Sequence, residues 1–127
     1  DGDVDLSVTD GYGPQGGHFV FRNELPEEAT KRSLSVVVLD AKGHHTRFGA
    51  EVRLFDQSGK ILGTRQVATG GGYNTQSAAP VHFGLSSLER VTVEVTFMSN
   101  DGRKKQSVKN VQPADYVGKR IVIRQAP

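Results

Sequence analysis

Several groups of residues in this 127-residue chain could do chemistry. In TGGGYNTQS, Gly70, Gly71 and Gly72 run directly into Tyr73 and Asn74. A glycine run can cradle a phosphate, but a phosphate loop then needs a lysine, a Ser or Thr, and a helix to receive them. Here Tyr73 and Asn74 follow, between strand-like segments. Two readings remain. One is a partner-binding loop, with Tyr73 as a contact residue. The other, which is preferred, is a structural turn in which glycine permits positive φ or a close backbone approach while Tyr73 packs over it.

The four histidines raise the question of a metal. His44 and His45 are adjacent, so on a strand they would face opposite ways, and an exposed turn is the simpler assignment. His18 and His82 lie in apolar strand context, and His82 is expected to be partly buried. No transition-metal site is expected. Serine, histidine and aspartate are all present, but there is no G-x-S-x-G elbow. Glu51, Glu89 and Glu94 read as solvated strand or turn positions rather than as a catalytic carboxylate pair. The expectation is a protein that is not an enzyme.

RKKQSVK carries four cations: Arg103, Lys104, Lys105 and Lys109. On a strand, Arg103, Lys105 and Lys109 share one face and Lys104 takes the other. With Arg47, Lys119, Arg120 and Arg124 they could form a basic face for heparan sulfate or another polyanion. The alternative is a charged edge that prevents strand-to-strand association. Aromatic residues for base stacking are not interleaved, so nucleic acid is not an expected partner. The formal net charge of +2 is too small to demand a polyanion. There is no cysteine, hence no disulfide and no thiolate zinc site. No apolar run approaches the roughly 20 residues of a membrane helix, so membrane insertion is not expected.

The elements that must position these residues are strands. VTVEVTFM alternates Val91, Val93, Val95 and Phe97 against Thr92, Glu94 and Thr96. AEVRLFD alternates likewise, and SVVVLD is a β-branched run suited to burial on both faces. KILGTRQVA, PVHFGL, KQSVKNV and KRIVIRQ complete the set. DQSGK and SNDGRK carry glycines where hairpins require positive φ, so 50–67 and 91–111 read as two hairpins. PEEATK and PADYVG are short helical segments that open on proline. This pattern predicts an all-β sandwich or partly open barrel of about 7–8 strands. The first 25 residues, rich in Asp and Gly, differ in texture. Their opening DGDVDL reads as the interior of a longer chain, with any targeting signal upstream.

Two families are similar to these segments. DGDVDLSV resembles the back half of the calcium loop of FG-GAP repeat β-propellers, with Asp1, Asp3 and Asp5 at ligand positions and Gly2 at the turn. Calcium takes about six to eight hard oxygen ligands, which a tight loop supplies from alternate positions. HFVFRN resembles the last strand of such a blade. GAEVRL, VATGGGYNTQS and VHFGL, in that order, resemble the ASPIC/UnbV domain. The resemblance divides the chain into a C-terminal remnant of an FG-GAP β-propeller blade (1–25), a linker (26–32) and an ASPIC/UnbV-like β-sandwich (33–127). It implies a secreted, extracellular, calcium-binding glycoprotein in which calcium belongs to the intact propeller and is not tightly bound by this half-loop. It implies a non-catalytic binding or scaffolding module in the matrix or at a cell surface. The partner would be a cell-surface or matrix protein, such as the Nogo receptor, with heparan sulfate as the alternative.

Overall fold

Alternating apolar residues need two sheets to bury them, and the computed structural model supplies two. It describes residues 4–10, 16–72, 80–100 and 102–127. The strands are β1 (Leu6–Asp10), β2 (Gly17–Phe21), β3 (Ser33–Leu39), β4 (Glu51–Phe55), β5 (Ile61–Gln66), β6 (Val81–Gly84), β7 (Val91–Ser99), β8 (Gly102–Val111) and β9 (Arg120–Arg124). A one-turn helix, Glu27–Thr30, precedes β3, and a 3-10 turn, Pro113–Tyr116, precedes β9. The chain is all-β: a three-stranded sheet β6-β3-β9 faces a four-stranded sheet β5-β4-β7-β8, and no barrel closes.

The interior is apolar from both sides. Leu34, Val36 and Val38 of β3, with Ile121 and Ile123 of β9, meet Val52 and Leu54 of β4 and Val91, Val93, Val95 and Phe97 of β7. Each of the larger side chains contributes about 1.5–3 kcal/mol on burial. β4–β5 and β7–β8 are antiparallel hairpins, as their turns predict, with Gly59 at φ 87° and Gly102 at φ 103°. β3 and β9 pair in parallel, Ser35 beside Arg120 through Leu39 beside Arg124.

Two details shape the margins. β8 carries a bulge: Val91 pairs with Val111 but Val93 pairs with Val108, and Asn110 takes φ 57°. The extra residue lets Val108 and Val111, which differ in parity, both turn toward the core side. On the other margin, Gly63 of β5 leaves room for Phe83 of β6, whose ring would lie 3.2 Å from a β-carbon there. The Arg65 guanidinium sits 5.7 Å from the centre of that ring, a cation–π contact worth about 0.5–1 kcal/mol at an exposed site.

β1 and β2 form a separate two-stranded ribbon, Leu6 opposite Phe21 and Val8 opposite Phe19. Those four side chains share one face and are 41–59% exposed. The other face holds Ser7, Thr9, His18 and Val20.

Candidate functional site

The cations of RKKQSVK fall on β8, an edge strand. Register places Arg103 beside Met98, Lys105 beside Thr96 and Ser107 beside Glu94 on the solvent side of the four-stranded sheet. Lys109 lines the same side, in a hollow with Phe55, Thr92, Glu94 and Ser107. Lys104 lies beside buried Phe97 and takes the opposite face. All four cations are exposed.

The geometry then divides them. Lys105 Nζ donates to Glu94 Oε1 at 3.1 Å. Arg53 on β4 pairs with Glu51 at 2.6 Å. Glu94 is therefore no free solvated carboxylate: its side chain is 17% exposed beneath Lys105. The solvent side of this sheet thus interleaves carboxylates with cations. Arg120 and Arg124 do not extend it, because they face out from the three-stranded sheet, opposite in parity to buried Ile121 and Ile123. The single basic face the sequence allowed is two surfaces on opposite sides of the sandwich.

The glycine loop is only partly described. Gly70 is half-buried, and Gly71 and Gly72 are exposed. Gly71 has no positive φ, and a β-carbon added to it would find no atom within 4 Å, so neither reason for glycine applies there. Tyr73 and Asn74 lie outside the described residues, as do Asp1 and Asp3. Asp5 accepts from the backbone N–H of Asn23 at 2.8 Å, which ties the start of β1 to the residues after β2. No cluster of metal-ligating side chains occurs among the described residues.

His18 lies on β2, in the apolar strand GHFVF. It shares a face with Ser7, Thr9 and Val20, its Nε2 2.8 Å from Ser7 Oγ and its Nδ1 2.9 Å from Thr9 Oγ1. Strand parity turns it away from the face of Phe19 and Phe21. His82 is half-buried, its Nδ1 3.4 Å from Ser35 Oγ. His44 and His45 are exposed in a loop, as expected.

That loop has an organiser that sequence reasoning missed. Asp40 is 8% exposed. Its Oδ1 accepts from Lys42 N–H at 2.9 Å and His44 N–H at 2.8 Å, and its Oδ2 accepts from Thr46 Oγ1 at 2.8 Å. These bonds, led by the His44 N–H, hold its carboxyl down at about 2. Asp56 does the same for the β4–β5 turn. Its Oδ1 accepts from Ser58 Oγ at 2.7 Å and from the N–H groups of Ser58 and Lys60, each at 2.9 Å. The Ser58 hydroxyl, then the Lys60 N–H, lowers its pKa. The signal available was the shared spacing D-x-x-G-x, in DAKGH and DQSGK.

The side chain of Gln106 faces inward from β8 to the last strand. Its Nε2 donates to Arg124 O at 3.0 Å, and its Oε1 accepts from Ala126 N–H at 3.1 Å. A cavity of about 20 Å³ lies against β3, lined by Val36, Val38, His45, Arg47 and Phe48. The buried Nε of Arg47 has no hydrogen-bond partner among the described residues. A space of that size holds about one water molecule and is a solvation site rather than a ligand site.

Among known proteins, the curated sequences and the solved structures give no match. The family model described as ASPIC and UnbV matches residues 41–126, which take in β4 through β9. With two thirds of its length inside that model, the chain belongs to the ASPIC and UnbV family.

Proposed function

We propose that this chain is a non-catalytic binding and scaffolding module of a secreted, extracellular, calcium-binding glycoprotein resembling vertebrate cartilage acidic protein 1. In this reading it contributes to antagonism of the Nogo receptor. The observation that supports it is the β1–β2 ribbon. Leu6, Val8, Phe19 and Phe21 form an exposed apolar face on a two-stranded sheet, and a lone hairpin is marginal in water. Further strands of a propeller blade would cover that face, and Asp1, Asp3 and Asp5 would then complete a calcium loop with residues from those strands.

A second reading is a glycosaminoglycan-binding module. Its support is the exposure of Arg103, Lys104, Lys105 and Lys109 on an edge strand. One experiment separates the two. Binding of the chain to cells displaying the Nogo receptor is measured with and without heparinase, across a salt series. Binding that survives heparinase and moderate salt, and is competed by soluble receptor ectodomain, is the expected result. Loss on heparinase favours the second reading, and no specific binding refutes the first.

A further inference from the structure

The solvent side of the three-stranded sheet differs from that of its partner. The positions turned away from the core are Ser33, Ser35, Val37 and Leu39 on β3, Arg120, Val122 and Arg124 on β9, and His82 and Gly84 on β6; Val37 and Leu39 are themselves buried, so the open part of this side runs along β9. None is acidic. Arg120 and Arg124 are exposed and make no ion pair within 4.0 Å among the described residues. Four residues of strand separate their α-carbons by about 13 Å. The guanidinium of Arg124 lies over Gly43, 3.2 Å from where a β-carbon would sit. Exposed Lys119 extends the row at one end, and exposed Lys42, beside Gly43, at the other. The one carboxylate in that loop, Asp40, is turned inward onto Lys42 N–H, His44 N–H and Thr46.

We propose that this face, along Lys119, Arg120, Arg124 and Lys42, is the surface that takes a sulfated polysaccharide. The proposal rests on the polyanion reading of the domain and moves its site from β8 to β9. A chain of anions crossing the four-stranded sheet meets Glu51 and Glu94, whereas one running along β9 meets no carboxylate at an outward strand position. Guanidinium forks match sulfate oxygens in pairs. Val122, 57% exposed between the two arginines, is not a buried anchor position of the kind protein interfaces use.

The test is binding of the whole chain to heparin across a salt series. Arg120→Gln/Arg124→Gln and Arg120→Glu/Arg124→Glu are compared with Arg103→Gln/Lys109→Gln, and circular dichroism confirms each fold. Two lost contacts lower the slope of log affinity against log salt by about two. The expected result is that drop for both β9 variants, with the β8 variant close to the parent. A drop confined to the β8 variant overturns the proposal and leaves the polyanion reading standing. No salt-dependent retention of the parent chain overturns that reading and the proposal together. Equal retention by polyglutamate reassigns the face to an acidic protein segment and also overturns the polysaccharide.

Discussion

DAKGH and DQSGK build the same loop twice. In each, the aspartate carboxylate accepts from the N–H groups two and four residues on. In each, the glycine N–H bonds back to the aspartate carbonyl, the aspartate N–H bonds to the carbonyl four residues on, and the glycine takes φ near 90°. What differs is the setting. Asp56 joins two neighbouring strands of one sheet in the open, whereas Asp40 is buried at the end of β3, where the chain leaves one sheet for the other. The loop is therefore a local unit written by five residues, and tertiary context decides how much rests on it.

The strands leading into the loops give the largest contrast. Leu39 is 9% exposed and Phe55 half-buried. Leu39→Ala is expected to cost about 2–4 kcal/mol and Phe55→Ala about 1–2 kcal/mol, measured by denaturant unfolding. Equal costs would mean that the two loops hang from equivalent supports.

The glycines come next. Alanine at either position is forced into left-handed backbone, at roughly 1–2 kcal/mol. At Gly59 the new β-carbon meets open space, and at Gly43 it meets the Arg124 guanidinium. Gly43→Ala is expected to cost at least as much as Gly59→Ala. Any excess should vanish in an Arg124→Ala background, since only the far end of that side chain stands in the way.

The smallest contrast appears on acidification. The Asp40 carboxyl lies at about 2 when folded, against an ordinary 3.8. Its contribution is complete above about pH 4 and is lost as pH falls toward 2, because the unfolded chain takes up the proton first. Asp40→Asn should therefore flatten the fall in melting temperature between pH 4 and 2. Asp56→Asn should act in the same direction, its carboxyl also being lowered. A parent whose melting temperature is flat over that range would show that neither carboxylate supports its loop.

The sequence made only one of these loops legible. DQSGK sits between two alternating strands, so its glycine announced a hairpin. DAKGH follows the continuous run SVVVL and precedes two histidines, which drew attention away from Asp40. The same distinction runs through the fold. β4, β7 and their hairpin partners were readable because turn and period are local. The parallel pairing of β3 with β9 leaves no local mark, since it joins positions 85 apart. The basic surface was read from clustering along the chain. Pairing Lys105 with Glu94 takes a cross-strand register, and placing Arg120 and Arg124 takes knowledge of which sheet β9 enters.

That long-range pairing has a consequence for the order of assembly. β3 is the first strand of the sandwich to leave a ribosome, and β9 the last of those described. Until β9 arrives, the Val36–Leu39 segment lacks its parallel neighbour and Ile121 and Ile123 are missing from the core. Gln106, already seated on β8, then receives the Arg124 carbonyl and the Ala126 N–H. Folding is thus expected to be slow, as sequence-distant pairing is, and to finish with the docking of β9. A nascent chain stopped before Arg120 would expose one sticky strand, which gives a molecular chaperone a defined place to hold.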